Sequence, residues 1–134
     1  MKKIIQILLV EDDQLDIIDI KRTLDKMNIL YNMQIATNGE EAVEKLEEAG
    51  NAKPDFILID INMPKMDGLE LLSVIRQRDE WKNIKCFMIT TSSATTDKEE
   101  ATRLGVSGYI IKPFKINNPS SMDSFNLMID LMNY

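Results

Sequence analysis

Polar residues follow four apolar runs in this chain, and their types could support metal binding and phosphoryl chemistry. In chain order they are Glu11, Asp12 and Asp13, then Asp60, Thr90 and Lys112. A buried parallel strand requires an apolar run, and open parallel sheets bind their ligands where the strands end. Clustered carboxylates repel one another unless a cation lies among them, and an all-oxygen acidic site suits Mg²⁺. The pattern therefore predicts a Mg²⁺ site at one sheet edge, beside a lysine that can bind a phosphoryl group.

Each of these residues also has a simpler structural interpretation. Residues 11–13 could form a solvated turn that places negative charge at a helix N-terminus. Thr90 could be an ordinary β-branched strand residue, and Lys112 could extend its ammonium to solvent. Asp60 is harder to explain in this way, because a carboxylate directly after the apolar run 56–59 lies at the edge of the core and needs a partner. Its carboxylate could act as a nucleophile, since aspartate can form an acyl phosphate.

Apolar runs alternate with segments of helical period along the chain. The runs extend over Ile4 to Val10, Met33 to Ala36, Phe56 to Ile59, Ile84 to Ile89 and Tyr109 to Ile111. This alternation predicts βα repeats around a parallel sheet. Five such units with five helices predict an α/β fold, a flavodoxin-like doubly wound sheet of strand order 2-1-3-4-5, in which the first and third strands flank the ligand site.

Several helix ends have local sequence signals. Capping-box spacing is found for Thr37 with Glu40, Asp67 with Glu70 and Thr96 with Glu99, and Asn118 precedes Pro119. Gly105 predicts a left-handed residue at the end of the fourth helix. The fifth helix is predicted from an apolar stripe of Met122, Phe125, Met128, Ile129 and Met132.

The first helix, predicted over residues 14–28, has one apolar stripe that should face the sheet. The stripe consists of Ile17, Ile20, Leu24 and Met27. Leu15 and Ile18 lie off the stripe, one turn from Glu11 and Asp12, so we expect them to be at least partly exposed. Neighbouring exposed apolar residues beside a reacting carboxylate suggest a docking patch for a partner protein. They could also be scattered surface residues or pack against the fifth helix.

The composition limits the classes of function. A length of 134 residues predicts one domain and leaves no room for an output domain. The net charge of −6 argues against non-specific nucleic-acid binding, which requires a basic surface. The single cysteine, Cys86, lies in a predicted strand and is expected to be buried. We expect no signal peptide, no membrane span and a cytoplasmic location.

The segment from Asn62 to Leu72 closely resembles the loop and third helix of chemotaxis-type receivers. The spacing from Asp60 to Thr90 and Lys112 fits the same family without a gap. Over essentially its whole length the chain resembles a receiver domain of two-component response regulators. The run of residues 90–93 is similar to single-domain receivers that partner bacteriophytochrome-type kinases.

The resemblance implies a phosphoacceptor role with Mg²⁺ as the cofactor. Asp60 would accept a phosphoryl group from a phosphohistidine on a sensor histidine kinase or a histidine phosphotransfer protein in a phosphorelay. The Asp12 and Asp60 carboxylates and the Asn62 backbone carbonyl would hold Mg²⁺, with Glu11 reaching it through water. Asp13 would be a helix N-cap. The chain would be no enzyme beyond intrinsic autophosphorylation and autodephosphorylation.

The resemblance also implies a switch. Lys112 would bind the phosphoryl group, aimed inward by a cis peptide to Pro113, and Thr90 would move toward the phosphate. Tyr109 would then swing inward and alter the face made by the fourth helix, fifth strand and fifth helix, where a downstream protein binds. The resemblance allows a homodimer and implies neither a nucleic-acid nor a membrane partner.

Two other functions compete with this interpretation. The first is a small Mg²⁺-dependent phosphohydrolase with Asp60 as the nucleophile. Such enzymes of the haloacid dehalogenase class use a second Asp as acid and base, but Asn62 occupies that position here and cannot do this work. The second is a degenerate receiver that serves as an unphosphorylated scaffold. The presence of every motif residue argues against it.

Overall fold

The computed structural model describes residues 4–27, 29–63, 65–91 and 95–112. The strands are β1 (Ile5–Val10), β2 (Tyr31–Ala36), β3 (Phe56–Asp60), β4 (Lys85–Thr91) and β5 (Gly108–Lys112). The helices are α1 (Gln14–Lys26), α2 (Gly39–Ala49), α3 (Gly68–Gln77) and α4 (Thr95–Arg103). All strand pairs are parallel and their order is β2-β1-β3-β4-β5. The predicted fold class is confirmed, while the predicted fifth helix and the 112–113 peptide lie outside the described residues.

Strand alternation divides the interior into two cores, because successive side chains of a strand point to opposite faces of the sheet. One core lies against α1 and contains Leu9 and Leu58 with Ile20 of that helix. The other lies against α2, α3 and α4 and contains Val10 and Ile59. Both faces of the sheet are therefore covered, as continuous apolar strands require. Alternate residues of one strand therefore pack against different helices: every second side chain faces α1, and those between them face α2, α3 and α4.

The predicted apolar stripe of α1 is confirmed. Ile17, Ile20 and Leu24 are buried, whereas Leu15 is 72% and Ile18 41% exposed. The helix ends at Lys26, earlier than residue 28. After the helix, Ile29 is buried in the core, and its N–H donates to the Leu24 carbonyl at 3.4 Å.

Two of the predicted N-caps are correct. Asp13 caps α1 by accepting from the N–H groups of Leu15 and Asp16. Asp67 caps α3 by accepting from the N–H of Glu70 at 2.9 Å. In both cases a carboxylate satisfies donors that the first helical turn leaves unpaired.

The N-caps predicted at Thr37 and Thr96 do not match the helices that the structure describes. Asn38, not Thr37, caps α2 and accepts from the N–H of Glu41 at 2.9 Å. The Thr37 hydroxyl donates to the Glu41 side chain instead. α4 begins at Thr95, so Thr96 lies inside the first turn and is not the cap. Thr37 and Asn38 are both good capping residues, so the local pattern cannot show which of them is the cap. The path of the preceding chain decides which of the two has the extended backbone that a cap requires.

Two further predictions agree with the structure, the left-handed residue after α4 and the burial of Cys86 in β4. Gly105, the second residue after the end of α4 at Arg103, has φ +85°, which confirms the left-handed C-terminal position. Cys86 is fully buried in β4, and burial raises the pKa of its thiol to about 11. Among the described residues no helix has the length and apolar character that a membrane crossing requires.

Candidate functional site

The register of the sheet brings the predicted polar residues to one edge. Val10 pairs with Ile59, so the next residues on the two strands, Glu11 and Asp60, follow side by side. Asp60 pairs with Ile89 of β4, and Thr91 pairs with Lys112 of β5. Four strands that are distant in sequence therefore end together, as the pattern of apolar runs indicated.

Three carboxylates form a compact anionic cluster at this edge. One oxygen each from Glu11, Asp12 and Asp60 lie within 4.8 Å of one another. Glu11 and Asp60 are buried, whereas Asp12 is exposed. Burial and the adjacent Asp60 carboxylate raise the pKa of Glu11 to about 8. Such crowding of negative oxygens disfavours the charged forms unless a cation joins them.

One buried oxygen of the cluster is unsatisfied. Glu11 Oε2 accepts from the N–H of Asp13 at 3.3 Å, but Oε1 has no hydrogen-bond donor among the described residues. A buried acceptor without a donor is uncommon in proteins and is typically explained by a bound water or ion. The donor set, which is all carboxylate oxygen with one member open to solvent, fits a hard divalent cation that keeps some of its water.

The loop after β3 is folded tightly beneath Asp60. The N–H of Asn62 donates to Asp60 Oδ1 at 3.1 Å, and the N–H of Gly68 donates to the Ile61 carbonyl at 3.1 Å. A Cβ on Gly68 would lie 2.8 Å from Ile61 Cα and closer still to the Asp60 carbonyl oxygen. Only glycine fits this position. Gly68 was not singled out from the sequence, although it follows the Asp67 cap and lies in the segment from Asn62 to Leu72 that resembles chemotaxis-type receivers.

Lys112 lies among three carboxylates on the α1 side of the sheet. Its Nζ is 2.7 Å from Asp16 Oδ2, 3.5 Å from Asp60 Oδ2 and 3.8 Å from Glu11 Oε1. Partial burial by itself lowers the pKa of Lys112, but the hydrogen bond to Asp16 and the charges of Asp60 and Glu11 outweigh it and raise that pKa. The ammonium therefore stays charged at neutral pH.

Asp16 was missed in the sequence analysis although it makes the shortest of these contacts. An acidic residue in the first turn of a helix is common, because it interacts favourably with the helix dipole. The local pattern therefore gave no reason to distinguish it. Its contact with Lys112 spans 96 positions of the chain and exists only because both side chains face the same side of the sheet.

The two predicted switch residues lie on the opposite side of the sheet. Thr90 is buried and shares the parity of Met88, which packs in the core against α4. Tyr109 is half-buried against the same core. Its hydroxyl donates to the Lys98 carbonyl at 2.5 Å and shares a short hydrogen bond with the Thr102 hydroxyl. Tyr109 is thus hydrogen-bonded to α4, a contact that the sequence pattern does not indicate.

Comparison with known proteins identifies relatives over most of the chain. The family model for the response regulator receiver domain matches residues 7–121. The chemotaxis protein CheY1 of Helicobacter pylori is 38% identical over 95 residues, which are 71% of this chain and 74% of that protein. The sensor histidine kinase CheAY of the same species is 35% identical over 108 residues. That match covers 81% of this chain but spans only 13% of the kinase.

Two solved structures have the same fold. The phosphorylated cyanobacterial phytochrome response regulator RcpA is 28% identical with a TM-score of 0.83, covering 98% of this chain and 97% of that one. The Mn²⁺-bound form of the response regulator Rcp1 is 29% identical with a TM-score of 0.80, covering 97% and 96%. The family match, the curated relatives and the site geometry agree: this chain belongs to the response regulator receiver domain family of two-component systems.

Proposed function

We propose that Asp60 is the residue of this signalling domain that receives a phosphoryl group. The observation that carries the proposal is the placement of its buried carboxylate between two further carboxylates and the Lys112 ammonium. The donor would be a phosphohistidine of a sensor histidine kinase or of a histidine phosphotransfer protein. The phosphohydrolase alternative finds no support, because the relatives are signalling proteins and Asn62 cannot serve as acid and base.

The transfer exchanges one bond to phosphorus for another. An oxygen of the Asp60 carboxylate attacks the phosphorus, the bond to the imidazole nitrogen breaks, and an acyl phosphate forms. The Asn62 N–H binds Oδ1 and fixes the orientation of the carboxylate. Lys112 lies on the side of Oδ2, where its ammonium can contact an oxygen of the incoming group. Both contacts position the reactants before the reaction begins.

Receiver domains bind a divalent metal, and we propose Mg²⁺ for this chain. Asp12, Asp60 and the Asn62 backbone carbonyl would hold it, with Glu11 contributing through a water. The unsatisfied Glu11 oxygen and the Mn²⁺-bound form of the relative Rcp1 support a cation at this position. When bound, the cation neutralises charge on the phosphoryl oxygens.

The proposal is tested with the wild-type chain, Mg²⁺ and acetyl phosphate, followed by intact-protein mass measurement. We expect the mass of one phosphate to be added, and peptide mapping should assign it to Asp60. The same incubation with a chelator should add none. Labelling of a different residue, or labelling that does not depend on the metal, would refute the assignment.

Asp12→Asn should weaken Mg²⁺ binding by at least about tenfold, measured by titration calorimetry, because even groups that only support metal ligands cost this much when removed. The change removes one anionic ligand and keeps the side-chain size. Asp13→Asn is the matched control: it changes the net charge equally, and asparagine also caps helices well. Equal affinity in Asp12→Asn and wild type, or an equal loss in Asp13→Asn, would contradict the metal assignment.

The output of the domain is proposed to involve Thr90 and Tyr109. Phosphorylation would draw the Thr90 hydroxyl toward the phosphate and let Tyr109 turn inward, away from Lys98. The face that changes comprises α4, β5 and the fifth helix predicted from the sequence, and its target would be another protein. The hydrogen bonds of Tyr109 to α4 support this view, because they couple the tyrosine to the helix and an inward turn of the ring would break them.

Leu15 and Ile18 are proposed to dock the histidine donor. They project from α1 beside Asp16, which contacts Lys112, and they are the two exposed large apolar residues at this edge of the described structure. A donor protein must bring its phosphohistidine to Asp60. Apolar contacts with α1 would hold it there without competing for the charged groups.

The double variant Leu15→Ser/Ile18→Ser should slow phosphotransfer from the cognate kinase by tenfold or more, since each lost anchor costs roughly 1 kcal/mol or above. Labelling by acetyl phosphate should stay normal, because a small donor needs no docking surface. The matched control is Ile4→Ser/Leu30→Ser, which alters two exposed apolar residues at the other ends of the strands. Equal loss with both donors would indicate a structural role, and no loss with the kinase would refute docking.

A further inference from the structure

We propose that Asp16 is a positioning residue for phosphoryl transfer, which anchors the Lys112 ammonium so that its remaining N–H bonds point toward Asp60 and the incoming phosphoryl group. This inference rests on the proposed function of Asp60. It assigns a role to a residue that lies outside the carboxylate cluster and outside the set of proposed metal ligands.

The geometry around Lys112 indicates an anchor. An ammonium has three N–H donors, and three carboxylates lie around this one at 2.7, 3.5 and 3.8 Å. Only the distance to Asp16 is that of a strong charge-assisted hydrogen bond. The contacts to Asp60 and Glu11 are looser. One donor is therefore committed to Asp16, and the others remain available on the side where phosphoryl transfer would occur.

Asp16 is itself held in place. It lies in the first turn of α1, and its backbone N–H donates a hydrogen bond to Oδ1 of the N-cap Asp13. Its side chain is 22% exposed and that of Lys112 24%, so the pair is shielded from water on most sides. An exposed ion pair contributes little because solvent screens it and both side chains must be ordered. A largely shielded pair on a capped helix is a better support.

An anchored lysine is useful because its side chain is long and flexible. A free lysine must give up rotational freedom when it meets the phosphoryl group, and this loss opposes the transition state. The hydrogen bond to Asp16 restricts the rotation of the Lys112 side chain when the chain folds, before the phosphoryl group arrives. If Asp16 instead withheld the ammonium from the reaction, its removal would accelerate transfer, so the sign of the effect separates the two roles.

Asp16→Asn should lower the rate of labelling by acetyl phosphate at saturating Mg²⁺ about tenfold, less than the roughly hundredfold loss that a misplacement of about 1 Å can cause, because Lys112 keeps its contacts with Asp60 and Glu11. The small donor removes any contribution from docking at Leu15 and Ile18. The control is Asp19→Asn, one turn further along α1, which has the same charge change without a contact to Lys112 and should be labelled at the wild-type rate. Labelling of Asp16→Asn at or above the wild-type rate would overturn the inference.

A double-mutant cycle distinguishes positioning from a general structural role. In a Lys112→Met background, Asp16→Asn should cause no further loss, because the residue acts only through the ammonium. An equal loss in both backgrounds would overturn the inference. The proposed function is tested separately: wild type labelled at a residue other than Asp60 would refute that function, whereas normal Asp60 labelling with an Asp16→Asn rate equal to wild type refutes only the anchor.

Discussion

Asp60→Asn should gain no phosphate when it is incubated with acetyl phosphate and Mg²⁺, whereas the wild type should gain one. An amide has nearly the shape of the carboxylate but is a poor nucleophile and cannot form the acyl phosphate. The expected difference is complete loss of the added mass. Intact-protein mass measurement over a time course checks it.

Loss of labelling in this variant should not come from unfolding. The neutral replacement relieves repulsion from Glu11 and Asp12 but weakens the 3.5 Å contact with Lys112, so we expect the free energy of unfolding to be nearly unchanged. Urea unfolding measures this directly. Asp55→Asn is the matched control, since it changes the same residue type directly before β3, at the opposite end of the strand from Asp60, and it should be labelled normally. Labelling of Asp60→Asn at the wild-type level would show that another residue is the acceptor.

Gly68→Ala should destabilise the fold by about 3 kcal/mol, the upper end of the range for overpacking. The added methyl group would meet Ile61 Cα at 2.8 Å and lie even closer to the Asp60 carbonyl oxygen. Both obstacles are backbone atoms, which cannot rotate away as a flexible side chain can. Relief requires the loop after β3 to shift, and that loop carries the Asn62 N–H that orients the Asp60 carboxylate. Phosphorylation should therefore slow as well.

Gly50→Ala separates the local effect from destabilisation in general. Gly50 has φ +57°, which disfavours alanine, but an added Cβ would have no atom of the described structure within 4 Å. We expect it to cost stability while labelling by acetyl phosphate remains normal. Urea unfolding and initial labelling rates should be measured for both variants under the same conditions. Normal labelling in Gly68→Ala would mean that the loop does not position Asp60 in the way proposed.

The fold class and the convergence of the polar residues could be predicted from the sequence. Apolar runs and helical stripes report burial directly, so the order of elements and the sheet-facing side of α1 follow from the pattern. The cap at Asp67 was equally predictable from spacing, and the family resemblance implied the cap at Asp13; each depends on a carboxylate and an N–H two or three residues away. The neighbourhood of Glu11, Asp12 and Asp60 followed from the rule that parallel strands end at one edge.

Features that depend on contacts between distant segments could not be predicted from local patterns and became visible in the folded chain. Asp16 is an ordinary first-turn residue until β5 brings Lys112 to within 2.7 Å of it. Gly68 is an ordinary residue after a cap until the loop folds against the backbone of Asp60. The tie of Tyr109 to α4 likewise forms across the sheet. Local patterns indicate which face of a helix or strand is buried. The packing of these elements decides which side chains come into contact, and the chemistry of the site depends on those contacts.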